Sequence, residues 1–130
     1  MTQREIEIIL SRQLASYLAI PIFIVDPEGN LLFYNEPAEA ILGGRFEETG
    51  EMPVSEWSRV FKPTDHRGAA LGPDKLPLMV AVTERRPAHR RFWIRGLDHV
   101  RRHIEVTAFP IVGQADRYLG AMALFWEVHE

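Results

Sequence analysis

The chain has no cysteine. That removes disulfides, thiolate zinc sites, covalent haem attachment and a cysteinyl flavin photoadduct from its chemistry. It also has no apolar run near the roughly 18 to 20 residues that a membrane-spanning helix needs, and its first residues, MTQREIEIIL, are charged where a signal peptide would be greasy. A cytoplasmic protein with no membrane partner is the expectation. Nor is one sign of charge in large excess: the formal net charge is -3, which gives no global attraction to nucleic acid or anionic lipid. What is present is 130 residues, 46% hydrophobic and 25% charged, which suits one domain around one core and leaves no room for a second.

The opening TQREIEIILSRQLASYL places Ile6, Ile9, Leu10, Gln13, Leu14 and Tyr17 near a 3.6-residue period, with Glu and Arg opposite. An amphipathic helix is expected over residues 1–18, started by a Thr2–Glu5 capping box and ended by Pro21. Residues 19–130 then form the domain proper. IFIVDPEGNLLFYN reads as strand, turn, strand, since DPEG puts Pro27 and Gly29 where a type I turn prefers them. Asn35 stands just ahead of EPAEAILGG, a good helix N-cap before a proline-containing first turn, and Gly43 and Gly44 supply the stop.

From Arg45 to Gly72 the periodicity is poor, which predicts loops with short helical turns such as one around SEWSRVF. PDKLPLMVAVTERR recovers helical spacing through Leu76, Met79, Val80 and Thr83, with Pro77 tolerated in the first turn. Three strands follow, HRRFWIRG, VRRHIEVTAFPIV and YLGAMALFWEV. With Asp98-His99 as a two-residue hairpin, Trp93 faces Ile104, while Ile104, Val106 and Ala108 share a face. On the last strand Ala121, Ala123 and Phe125 alternate with Met122, Leu124 and Trp126, so both faces are apolar and both need cover. The fold class is therefore α+β: a five-stranded antiparallel sheet with helices inserted between its second and third strands, plus an N-terminal amphipathic helix.

In this order the residues resemble the PAS sensor domains, over Leu18 to Glu130. IPIFIVDPEGNLLFYNEPAEAILG is similar to the family's first hairpin and following helix, with Asp26, Gly29, Asn35, Ala38 and Gly43 at the matching positions. LPLMVAVTERRP is similar to the family's long helix, and IEVTAFPIVGQADRYLGAMALFWEV follows its closing pair of strands. Glu127 and His129 stand where the closing signal usually has Asp and Thr, and His99 takes a hairpin position where the family often has Gly. Such a turn requires positive φ, which histidine accepts with modest strain. The resemblance implies an input domain of intracellular signal transduction, with an output such as a kinase, phosphatase, cyclase or transcription regulator. The chain ends where an output linker would begin, so it is expected either to be cut from a longer protein or to act by association.

In that fold a pocket for a small apolar ligand is expected between sheet and long helix, lined by Ile24, Phe33, Leu76, Met79, Val80, Ile104, Val106, Ala121 and Ala123. The competing expectation is an ordinary filled core, which makes the chain a ligand-free protein–protein interaction module. A homodimer is expected through Ile6, Ile9, Leu10, Leu14 and Tyr17 of the helix and Met122, Leu124 and Trp126 of the sheet. No cofactor is identified. Haem-binding relatives use a histidine on or near the long helix; DKLPLMVAVTER has none, and the flanking His66 and His89 read as surface loop residues, so neither haem nor a flavin photoadduct is supported. His99 and His103 would stand roughly 13 Å apart on a strand, too far for one metal.

The basic stretch ERRPAHRRFWIRGLDHVRRH, with Phe92 and Trp93 interleaved, has the ingredients for nucleic-acid contact. The solvated face and edge of a hairpin is the favoured reading, arginine also guarding the edge against pairing. The acidic EETGE offers a counterpart to these arginines on a neighbouring subunit. A small isomerase would need a nucleophile with a base, or paired carboxylates, inside the pocket. The one polar pair, His103 and Glu105, alternates onto the face opposite Ile104 and Val106, so no catalytic residue is assigned.

Overall fold

A computed structural model describes residues 19–129 of the chain. The expected amphipathic helix, with its Thr2–Glu5 box and Ile6, Ile9, Leu10, Leu14 and Tyr17, lies outside the described residues. Strands β1 (Ile22–Val25) and β2 (Leu31–Tyr34) form the first hairpin. Helices α1 (Glu36–Leu42), α2 (Phe46–Thr49), α3 (Val54–Val60) and α4 (Pro77–Glu84) follow, then β3 (Ala88–Arg95), β4 (Arg101–Val112) and β5 (Tyr118–Glu127). The strands make one five-stranded sheet in the order β2-β1-β5-β4-β3, antiparallel at every pairing. The helices packed on one face of this sheet bury the main core, and its second face carries a smaller cluster of Ile22, Ile24 and Met122 with Leu32, Phe33, Ile111 and Leu124. None of the described helices is long and apolar enough to cross a membrane.

The first hairpin closes as its turn residues require: Gly29 N–H donates to the Asp26 carbonyl at 2.9 Å, and Asp26 Oδ1 accepts from the amides of Glu28 and Asn30. Val25 pairs with Leu31 and Ile24 with Phe33, which leaves Leu32 as a bulge and puts Leu32 and Phe33 on the same side of the sheet. The β3–β4 turn is one residue longer than a two-residue hairpin. Gly96 N–H donates to the Val100 carbonyl, His99 N–H to the Gly96 carbonyl, and His99 takes φ +66°. The pairing is therefore Phe92 with Ile104 and Trp93 with His103, not Trp93 with Ile104. One residue of register moves every side chain of β3 to the opposite face, and it turns Phe92 inward and Trp93 outward.

Two polar groups tie these elements together. Asn35, 1% exposed, caps α1 by accepting the Ala38 amide, and the same Oδ1 accepts the Ile22 amide at 2.9 Å. Its Nδ2 donates to the Ile20 carbonyl at 2.9 Å, and its own amide to the Ile22 carbonyl. One side chain thus joins the chain leading into β1, the end of β2 and the start of α1. At the other end of α1, Gly43 is left-handed (φ +75°), and a Cβ there would strike Asp98. Into that space Asp98 brings Arg102, whose Nη2 meets Asp98 Oδ2 at 2.7 Å and whose Nη1 donates to the Ile41 carbonyl at 2.9 Å, a cation at a helix C-terminus. The Arg102 bond, opposed by desolvation and aided by the Val100 amide, holds the Asp98 carboxyl down at about 2.

Replacing Asn35 by Ala removes the partners of the buried amides of Ile22 and Ala38 and of the part-buried Ile20 carbonyl and is expected to cost about 2–4 kcal/mol in urea denaturation. Asn35→Asp keeps the acceptor but loses the donor to Ile20, so it too loses stability; a variant as stable as the parent would show that the Ile20 bond contributes nothing. Asp98 generates a pH prediction of fixed sign. Its folded pKa lies below the ordinary 3.8, so its contribution is full above that value and is lost as pH falls from there through about 2. Thermal melts of Asp98→Asn are expected to show a lower Tm at neutral pH and a shallower decline with acid than the parent between those values.

Candidate functional site

A cavity of about 70 Å³ lies between the helix-covered face of the sheet and the helices. Every strand but β2 contributes to its floor: Phe23 from β1, Phe92 and Ile94 from β3, Ile104 and Val106 from β4, Ala123 and Phe125 from β5. These alternate positions point the same way because of the pleat, and Ala123, being small, leaves room that its neighbours do not fill. The roof is Leu42 at the end of α1, Trp57 and Phe61 of the α3 segment, Pro63, and Leu76, Pro77 and Leu78 where α4 begins. Trp57 and Phe61 stand four residues apart and so share a helix face. The Trp57 ring meets Phe23 edge-on at 5.2 Å, and Phe23 stacks on Tyr34.

The wall has one polar group, the Trp57 indole N–H, and it is already engaged, donating to the Gly29 carbonyl at 2.8 Å. No lining residue titrates. A haem iron needs a histidine, cysteine, methionine or tyrosine facing it, and none of the lining residues is one, so the cavity does not fit that group. Its chemistry is that of an apolar binding site: it can exclude water and select by shape and size, and it has no acid, base or nucleophile to offer.

Of the residues expected in the pocket, Leu76, Ile104, Val106 and Ala123 line this cavity. Ala121 is fully buried in the same core beside it. Ile24 and Phe33 do not line it: they pair with each other on the opposite face, where they pack with Ile22 and Met122. The strand IFIV is apolar at every position, so alternation alone does not say which side faces the helices. Met79 and Val80 are also displaced. Leu76 is the extended N-cap residue of α4 (ψ 135°), so the helical phase starts at Pro77 and the buried face becomes Leu78, Ala81 and Val82. Met79 instead packs over the first turn, its sulfur filling the space beside Gly29. Of the lining aromatics outside that expectation, Phe125 follows from its alternation with Ala121 and Ala123, Phe92 from strand alternation once the longer β3–β4 turn is allowed, and Trp57 and Phe61 from their helical spacing.

The opposite face of the sheet divides in two. Around β1 and β5 it is apolar, Met122 buried, Leu124 half-buried and Trp126 40% exposed. Toward β3 it is polar. Glu105 meets His89 Nε2 at 2.6 Å and Arg91 Nε at 3.3 Å. Desolvation raises its pKa, but the bond to His89 and the charge of Arg91 outweigh this and leave it lowered. Trp93 stacks on His103 at 4.6 Å under the Arg101 guanidinium at 4.0 Å. His103 and Glu105 therefore lie outside the cavity and have different partners, and His66 is exposed on a loop. Among the described residues no cluster of His, Asp or Glu has the makings of a metal site.

No protein-family model matches the chain, and no curated protein matches it in sequence. Solved structures do match in fold. The PAS domain of BvgS from Bordetella pertussis is similar with a TM-score of 0.69 at 17% identity, covering 95% of this chain and 88% of that one. The PAS domain of nitrogen regulation protein NR(II) from Vibrio parahaemolyticus gives 0.63 at 15% identity, covering 92% and 98%. The Rhodobacter sphaeroides LOV protein gives 0.73 at 13% identity, covering 98% and 69%. With its strand order and the helices inserted between its second and third strands, the chain has the PAS domain fold.

Proposed function

We propose that this chain is a non-catalytic sensor or regulatory domain of intracellular signal transduction, which takes a small apolar ligand and controls an attached or separate output such as a kinase, phosphatase, cyclase or transcription regulator. The observation that carries the reading is the cavity between sheet and helices, walled by apolar residues and free of any titratable group. The similarity in fold to PAS domains of BvgS and of a nitrogen regulation protein supports it. A cytoplasmic homodimer is part of the proposal, formed through the N-terminal segment and the outer sheet face at Met122, Leu124 and Trp126. The half-exposed Trp126 beside this apolar cluster supports that surface, since large apolar patches mark association sites. A ligand drives such a device only by its differential affinity for two arrangements of the domain.

The small volume of the cavity favours a second reading, an interaction module that carries no ligand. Native mass spectrometry and an absorption spectrum of freshly purified protein separate the two: a reproducible bound mass or chromophore band supports the sensor, and a bare chain supports the module. Ala123→Leu adds a branched side chain to the cavity floor and is expected to abolish the bound mass, with a stability cost of about 1–3 kcal/mol. For the dimer, removing the residues before Ala19 is expected to give a monomer or an aggregating chain by sedimentation velocity, and a soluble dimer would sink that interface.

A further inference from the structure

The cavity and its walls constrain both what enters and what must move. An engineered cavity of roughly 150 Å³ takes benzene, and the volume here is about 70 Å³. A single xenon atom or a diatomic gas fits as the walls stand, whereas a ring-sized ligand enters only if a wall gives way. Most of the walls are anchored. The floor is locked into the strand ladders. Leu42 is held where its carbonyl accepts the Leu97 amide and Arg102 binds the neighbouring Ile41 carbonyl. The α4 helix is held by Tyr118, whose hydroxyl lies 2.9 and 3.0 Å from the Ala81 and Val82 carbonyls.

The α3 helix is held differently. It spans seven residues and has no side-chain cap from its own N-cap residue, Pro53; a helix so short has no stability of its own. Backbone bonds hold its two ends, Met52 paired with Leu31 before it and the Phe61 carbonyl accepting the Arg95 amide after it; between them, two side-chain bonds fasten it to the β1–β2 turn: Asn30 Oδ1 accepts the Val54 amide at 3.1 Å, and the Trp57 indole donates to the Gly29 carbonyl at 2.8 Å. The second of these is made by a cavity wall. Any rotation of Trp57 that enlarges the cavity breaks it.

We propose that Trp57 is the movable wall of the cavity, and that an uncharged ligand with no hydrogen-bonding group, larger than the resting volume, binds at the expense of the Trp57–Gly29 bond and so removes one of the two side-chain bonds between α3 and the β1–β2 turn. The inference rests on the ligand-binding reading above. That turn opens onto β1, whose first residue, Ile22, Asn35 clamps together with Ile20. Occupancy of the cavity is thereby coupled to the contact between α3 and the β1–β2 turn. Ligands small enough for the resting cavity leave the bond intact and send no signal along this route.

The test uses the full chain, 15N-labelled, with two probes of different size, xenon under pressure and benzene. The chain has three tryptophans, so the indole N–H region is simple, and the Trp57 signal is identified by its nuclear Overhauser contact with Phe23. Both probes are expected to shift the methyl signals of Ile104 and Val106. Benzene alone is expected to shift the Trp57 indole signal and to speed its hydrogen exchange on the order of tenfold, the loss of one net hydrogen bond. Trp57→Phe removes the bond and also enlarges the cavity, so benzene is expected to bind it more tightly than the parent on both grounds, and the response of the parent's Trp57 indole decides between them. Benzene that shifts the methyl signals but leaves the Trp57 indole unchanged overturns the movable wall alone. If neither probe moves the methyl signals, the ligand-binding reading falls, and this inference with it. Should Trp57→Phe fail to fold, the two-probe comparison on the parent chain decides by itself.

Discussion

The bond set of Asn35 is the constraint on which the rest of the domain depends. Three backbone groups from different segments would otherwise lack a protein partner: the Ile20 carbonyl in the lead-in, the Ile22 amide at the start of β1 and the Ala38 amide in the first turn of α1. A buried amide is suited to this because it accepts and donates at once. Neither a carboxylate nor a hydroxyl satisfies the Ile20 carbonyl, the Ile22 amide and the Ala38 amide together at neutral pH. With those groups paired, β1 can lie at the centre of the sheet between β2 and β5, and α1 departs toward the helix-covered face.

A second constraint is steric. At Gly120 (φ +130°) a Cβ would collide with the Val25 carbonyl, so only glycine lets β5 come close enough to β1 for the Val25–Ala121 pairing. This close approach sets the position of Ala123, which leaves the cavity its floor space. The cavity is thus a product of the sheet's geometry and of the helices over it: a small residue on the floor at Ala123, and large aromatics from both the strands and the α3 segment around it.

Much of the fold was legible in the chain itself. Elements whose limits are set by local chemistry stand where their residues put them: the DPEG turn, the Asn35 cap, the Gly43 stop, Pro77 in a first turn, and positive φ at His99. The alternation of Ile104, Val106 and Ala108 is clean because polar residues separate them. The cavity was legible only in part. Ile24 and Phe33 were placed on its wall because IFIV and LLFY carry no polar residue to break the tie between faces, and because a bulge at Leu32 shifts the phase within β2. Met79 and Val80 were placed there by counting from Leu76, which caps its helix in an extended conformation.

The sequence by itself determined the kinds of element, their order and the apolar character of both sheet faces, since these follow from propensity, periodicity and turn residues acting over a few positions. Which residues meet across the cavity was decided by the tertiary structure. One added residue in the β3–β4 turn exchanges Phe92 for Trp93, and no local pattern fixes that count, because the pairing is settled by the summed burial of a whole strand against its neighbour. The indole of Trp57 found its acceptor at Gly29, 28 positions away along the chain. That contact exists only when hairpin, helix and sheet are packed together.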